Sequence, residues 1–166
     1  MDADALDLAL LVLRVYVGVA FSLHGFQKLF GWFGGGGLEG TGNWFRSLGF
    51  GNGRTAALVA GVSEVSGGLG LALGLLTPLA ATAMIGTMTT AAWVNHDANG
   101  FWSAKKGWEL NGYLIAVAWF VATVGPGRWS VDHALDLDLT GIVVGLLALT
   151  VGVGGGTVQW RSRSTD

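Results

Sequence analysis

Cysteine is absent from the 166-residue chain. Its absence excludes disulfides, iron–sulfur clusters, thiolate metal sites and covalently attached haem, so any redox chemistry must run without a protein thiol. Charge is scarce as well. Asp, Glu, Lys and Arg make up 12% of the chain, about half the roughly 25% of a soluble domain. The shortfall comes in blocks, and neither sign dominates. A formal net charge of -2 leaves no basic field for nucleic acid. A cleavable signal peptide is not expected, because Asp2, Asp4 and Asp7 make the N-terminal region acidic where such signals are basic, and Arg14 interrupts the first apolar run. Nor is there a phosphate cradle: Gly34-Gly35-Gly36-Gly37 has no Lys-Ser/Thr after it and no strand before it.

What the chain does hold is apolar sequence, 51% of it, with a mean hydropathy of +0.54. A helix crossing the bilayer needs about 20 mainly apolar residues. Residues 6–23 nearly meet this with Arg14 as the one charge, and 56–76 meet it with Glu64 inside. Uncharged 79–94, the shorter 110–124 and the Gly-rich, uncharged 139–158 follow. The expected fold is all-α, a membrane helix bundle. A four-helix core occupies residues 1–136, and a fifth transmembrane helix with a short basic tail occupies 137–166. The fifth segment has an alternative reading as an interfacial tail helix.

The connections support this layout. Leu76-Thr77-Pro78 reads as a tight turn, with Pro78 in the first turn of the next helix. Residues 31–53 read as a flexible Gly-rich loop and then a short interfacial helix. Trp32, Trp44, Trp102, Trp108 and Trp129 fall at segment ends, as an interfacial aromatic belt does. Gly70/Gly74 and Gly141/Gly145 are G-x-x-x-G pairs that would let helices approach closely. With five spans, Lys28, Arg46, Arg54, Lys105, Lys106, Arg161 and Arg163 share one side and Arg128 alone takes the other. That asymmetry favours the fifth span, puts the C-terminus in the cytoplasm and puts the N-terminus outside, in a multi-pass protein of the cell membrane.

Intramembrane charge is the sharpest functional signal, since an isolated charge at mid-bilayer costs roughly 3 kcal/mol or more. Counting helical rise from the outer face puts Arg14 roughly 12 Å deep and Glu64 roughly 18 Å deep on antiparallel helices, close enough for an ion pair. Such a pair is either a packing clamp or a site for a polar head group, an anion or a proton. A second polar layer is expected at the cytoplasmic boundary. His24 and Lys28 end the first helix, Asn95, His96 and Asp97 end the third, and Glu109 and Asn111 begin the fourth. Lys28 is the natural partner of Glu109. His24 and His96 are the two histidines placed to share a metal or haem, but neither lies in a metal-spaced motif. Interfacial hydrogen bonding is their expected role, and no metal is expected. His133, among Asp132, Asp136 and Asp138, reads as a weak cation site or a solvated loop.

Several motifs together resemble the DoxX family. They are His24-Gly25-Phe26-Gln27-Lys28-Leu29-Phe30, Glu64, Gly74-Leu75-Leu76-Thr77-Pro78, Asn99-Gly100-Phe101, Gly107-Trp108-Glu109, and the run from Gly125-Pro126-Gly127 to Asp132. The resemblance covers residues 10 to 132, and 139–158 is an addition to the usual four helices. It implies a four-helix membrane protein, in some members linked to thiosulfate:quinone oxidoreduction. In others it implies a membrane component that works with superoxide dismutase and a sulfurtransferase in thiol and oxidative-stress defence. It assigns no catalytic residue. The expected function is therefore a membrane subunit of a redox-linked complex, catalytic or accessory, with the lipid bilayer as solvent. A quinone is the cofactor the resemblance suggests, and a homo-oligomer stays open. The alternatives are a small transporter or lipid-binding protein, and a passive anchor for soluble enzymes.

Overall fold

A computed structural model of the chain describes residues 2–96 and 99–164, with backbone alone at Asn95 and His96. No strand occurs among the described residues. Helix α1 (Ala3–Phe30) opens on Asp2, whose carboxylate accepts from the Asp4 N–H at 3.1 Å, and closes on Gly31 in the left-handed region at φ 73°. Helix α2 (Gly37–Ser47) follows a 3₁₀ turn at Trp32–Gly34. Helix α3 (Gly53–Leu73) is capped by Asn52 and ends at Gly74. Helix α4 (Thr77–Ala91) carries Pro78 in its first turn and continues as a π-helical turn, Ala92–His96. Helix α5 (Glu109–Val124), the short α6 (Val131–Ala134) and α7 (Ile142–Arg161) complete the chain.

Helices α1, α3 and α7 are each long and apolar enough to cross a membrane, and α5 is a shorter apolar helix. Their outward faces hold Val12, Val15, Val19, Leu58, Val62, Leu147 and Val151, all exposed. So broad an apolar surface suits lipid, not water. Lipid tails do not drive helices together by the hydrophobic effect, so close packing of small residues must do so. Helix α1 packs antiparallel on α3 in this way. A Cβ on Gly18 would collide with the Gly68 carbonyl, and one on Gly25 with the Gly61 carbonyl. Gly152 and Gly156 of α7 likewise let it lie parallel to α4, beside Ile85 and Gly86.

The G-x-x-x-G pairs expected from the sequence contribute differently. Gly70 does face Ala80 and Gly145 does face Thr123, but Gly74 is a helix cap and Gly141 has open space around it. Central α4 is the most enclosed helix: Ala80, Ala81, Met84, Ile85 and Met88 are buried against Phe21, Leu71, Val121 and Ala148. Helix α2 is the short helix expected after the glycine run, laid on α3 through Phe45, Phe50, Ala57 and Ala60. The five long helices alternate in direction, so the two termini lie at opposite ends of the bundle. At one end Arg128 meets Asp7, and at the other Ser164 N–H donates to the Gly49 carbonyl at 2.9 Å.

Candidate functional site

Arg14 and Glu64 are both buried, but the structure does not bring them together. Arg14 donates to the carbonyls of Leu71 at 3.4 Å and Ala72 at 2.9 Å through Nη1, and to Trp129 O at 2.8 Å through Nη2. These partners lie seven and eight residues beyond Glu64 along α3, roughly 11 Å up the axis. The depth count misplaced the register. The contact of Gly18 with Gly68 sets Arg14 opposite Ala72, because α1 overhangs the end of α3.

At that overhang Arg14 adds a donor to carbonyls of the last turn of α3, where Leu71 O already accepts from the Gly74 N–H at 3.1 Å, and it suits the negative end of the helix dipole. Asp132 does the converse at the start of α4. Its carboxylate accepts from Leu76 N–H at 2.7 Å, Thr77 N–H at 2.9 Å and the Thr77 hydroxyl at 2.7 Å. Arg128 closes the same end on Asp4 and Asp7. The Asp7 hydrogen bond above all, then Asp4, raises the Arg128 pKa above its usual value. These contacts tie the end of α3 and the start of α4 to the segment after α5. Among the described residues no group of three or more potential metal ligands occurs, His133 and its neighbours included.

Glu64 pairs with Lys28 instead. Lys28 Nζ donates to both carboxylate oxygens, at 2.8 and 2.7 Å, and the side chains are 21% and 4% exposed respectively. Side chains on a helix lean toward its N-terminus, so on antiparallel helices Lys28 leans down α1 and Glu64 leans toward it. Lys28 therefore does not meet Glu109. The Glu109 carboxylate accepts from Ser103 N–H at 2.9 Å, from the Ser103 hydroxyl at 2.8 Å and from Tyr113 OH at 3.1 Å, closing the loop before α5. His24 Nδ1 lies 3.1 Å from Gln27 Oε1. The side chain of His96 falls outside the described residues, and so do the side chain of Asn95 and the whole of Asp97.

The Lys28–Glu64 pair forms part of the wall of a cavity of about 460 Å³, within the roughly 300–1,000 Å³ of small-molecule sites. His24 and Asn111 line it too, so four of the residues singled out from the sequence share one space. Asn111 donates to Met88 Sδ at 3.5 Å. Phe21, Met88, Leu110 and Leu114 make the space apolar, and Trp44 and Phe45 of α2 cover one side. The cavity sits between the α1–α3 pair and the α5–α7 pair, with α4 behind it. It combines a neutralised charged pair, a histidine and apolar walls inside a membrane bundle.

A model of the DoxX family matches residues 9–97, just over half the chain. The chain belongs to the DoxX family. The match covers α1 to α4, and with them Lys28, Glu64 and His24. Among curated proteins and solved structures nothing matches the chain. In this DoxX protein the sequence left several site residues unread. Trp44 read as an interfacial aromatic, and nothing in the sequence singled out Phe45, Phe21 or Met88. Asp132 looked like loop charge, although its place four residues after Arg128, in a run rich in turn residues, carried some signal. Gln159 of α7, also in the cavity wall, gave no signal beyond being a polar residue in an apolar helix.

Proposed function

We propose that this DoxX protein is the integral membrane subunit of a redox-linked complex and that the cavity beside Lys28 and Glu64 holds a lipophilic redox carrier of quinone type. The observation that carries the reading is the cavity itself: an ion pair at its wall, His24 and Asn111 beside it, and apolar surroundings. A passive anchor would have no use for such a space, nor for a buried carboxylate within it. Lys28 and His24 supply hydrogen-bond donors for a ring carbonyl, and Phe21, Met88 and Leu114 accommodate the ring and the start of a tail. The residues of α1 to α4 that build this wall fall within the four-helix core of residues 1–136, and α7 with its basic tail is the added segment of 137–166. The partners are soluble redox enzymes such as a sulfurtransferase or a superoxide dismutase, docked on the cytoplasmic end. That end carries Lys28, Arg46, Arg54, Lys105, Lys106, Arg161 and Arg163, which by the loop-charge rule faces the cytoplasm.

Titrating the protein in nanodiscs with a short-chain benzoquinone tests the ligand. Saturable quenching of tryptophan fluorescence, weakened in Trp44→Phe and Lys28→Met, supports it. Quenching that rises linearly with quinone and ignores both substitutions would remove the quinone. Identifying proteins that co-purify from native membranes tests the complex, and recovery of the DoxX chain alone after mild crosslinking counts against it.

A further inference from the structure

Helix α7 lies outside the stretch that the family model matches, yet it supplies a polar side chain to the cavity wall, Gln159. The helix is otherwise apolar up to its last turn. Its threonines are committed to its own backbone: Thr150 donates to Leu146 O at 2.8 Å and Thr157 to Val153 O at 2.7 Å. Gln159 is different. It is half-buried, and among the described residues its side-chain amide makes no hydrogen bond. An amide that faces a cavity with no partner in the protein keeps its donors and its acceptor available to a ligand or to water.

The position of Gln159 is fixed from several sides. Thr90 of α4 donates to the Gly156 carbonyl at 3.1 Å, one turn before it. Trp160 stacks against Trp93, ring centroids 5.4 Å apart and planes 30° from parallel. Beyond the helix, Arg163 donates to Leu48 O at 3.2 Å, and Ser164 ties to Gly49. The backbone of α7 is therefore held beside the cavity, and binding has only the Gln159 side chain left to order. Across the cavity Lys28 is neutralised by Glu64, so that wall offers hydrogen bonds without net charge.

We infer that Gln159 is a ligand-binding residue of this cavity, its amide bonding one neutral oxygen function of an uncharged ligand while the Lys28–Glu64 wall bonds another. The inference rests on reading the cavity as a ligand site. It makes the added C-terminal helix part of the site's specificity.

Two measurements on the full chain test it. The first uses the lack of cysteine. Gln159→Cys carries the sole thiol, and in nanodiscs a thiol facing a hydrated cavity ionises and reacts with a small maleimide, whereas one in lipid does not. The expected result is labelling at least tenfold faster than for Val158→Cys, whose position is 70% exposed on the outer face. Equal rates would overturn the inference. The second is affinity for the short-chain benzoquinone. Gln159→Leu keeps the volume and is expected to weaken binding about tenfold at an unchanged melting temperature. Unchanged affinity would overturn the role even if position 159 labels fast. Should the parent protein bind no quinone at all, the quinone reading falls, and the labelling comparison alone decides whether Gln159 faces the site.

Discussion

Removing Lys28 should damage the protein more than removing Glu64, and removing both should damage it least. Glu64 is 4% exposed and takes the hydrogen bonds to both of its oxygens from Lys28. Lys28→Met therefore leaves a carboxylate in the bundle with no counter-charge, a loss of about 3–5 kcal/mol. Glu64→Leu leaves an ammonium that is 21% exposed at the end of a flexible stem. It can turn to water at the membrane boundary, so the loss falls to about 1–2 kcal/mol. The double variant Lys28→Met/Glu64→Leu replaces the pair with apolar side chains of similar volume and should come within about 1 kcal/mol of the parent. The coupling between the sites is then about 3 kcal/mol or more, at the upper end for contacting residues.

Reversible unfolding in mixed micelles with increasing SDS, followed by tryptophan fluorescence, measures all four proteins. Arg14→Met with Glu64→Leu is the control, and its two losses should add because the residues touch different partners. Additive losses for Lys28 and Glu64 would show that the pair does not exist in the membrane. A larger loss for Glu64→Leu than for Lys28→Met would show that the carboxylate, not the ammonium, is the solvated partner.

Arg14→Met should cost about 3 kcal/mol or more, since it strips donors from the carbonyls of Leu71, Ala72 and Trp129, and it should leave quinone affinity unchanged. The unfolding titration and the fluorescence titration read the two effects separately. Asp132→Ala frees the Leu76 and Thr77 donors and should cost about 2–3 kcal/mol. Proteolysis between residues 125 and 138 should speed up, and an unchanged cleavage rate would contradict the tie. Gly68→Ala would drive a methyl into Ser22 and the Gly18 carbonyl and should cost about 1–3 kcal/mol, whereas Gly155→Ala, with open space around it, should be neutral in the same assay. Reporter fusions should place the N-terminus outside and the C-terminus in the cytoplasm, and both ends on one side would sink the five-span topology.

The spans were readable because hydropathy over 15 to 20 residues integrates many weak signals. Residues 56–76 and 110–124 differ from α3 and α5 only at their ends. The caps explain the offsets. The expected segment at 56–76 ran past Gly74, where the left-handed residue stops the helix, and the expected first span at 6–23 stopped short of Lys28 and Phe30, which remain helical up to Gly31. The glycine contacts were harder to read. Gly18 and Gly25 on α1, and Gly61 and Gly68 on α3, each stand seven apart, a coiled-coil spacing. That spacing is hidden among 29 glycines.

The misplaced pairing of Arg14 shows what a sequence lacks even where a buried charge is plain in it. Counting residues inward from each helix end assumes that neighbouring helices end together. Here α1 extends past α3, and the residues after α5 fold over the overhang, where Asp7 meets Arg128 and Trp129 meets Arg14. A slip of about one turn exchanged the partners of three charges. Arg14 went to backbone carbonyls, Glu64 to Lys28, and Glu109 to Ser103 and Tyr113. The residue types chosen for the site were still informative, because a charge in an apolar helix must find some partner whatever the register. Their pairing was not, because register depends on which small residues nest across a helix contact, a property of two segments at once. Lys28 reaches Glu64 for that reason: the nesting of Gly25 against Gly61 leaves Lys28 on the far side of the contact from Glu64's level, and the N-terminal lean of both side chains closes the distance. Widening the α1–α3 contact at Gly25, by Gly25→Ala, should therefore weaken the pair and make the Lys28→Met loss smaller than in the parent. If that loss is undiminished, register and pairing are independent, and the glycine contact is not what brings the charges together.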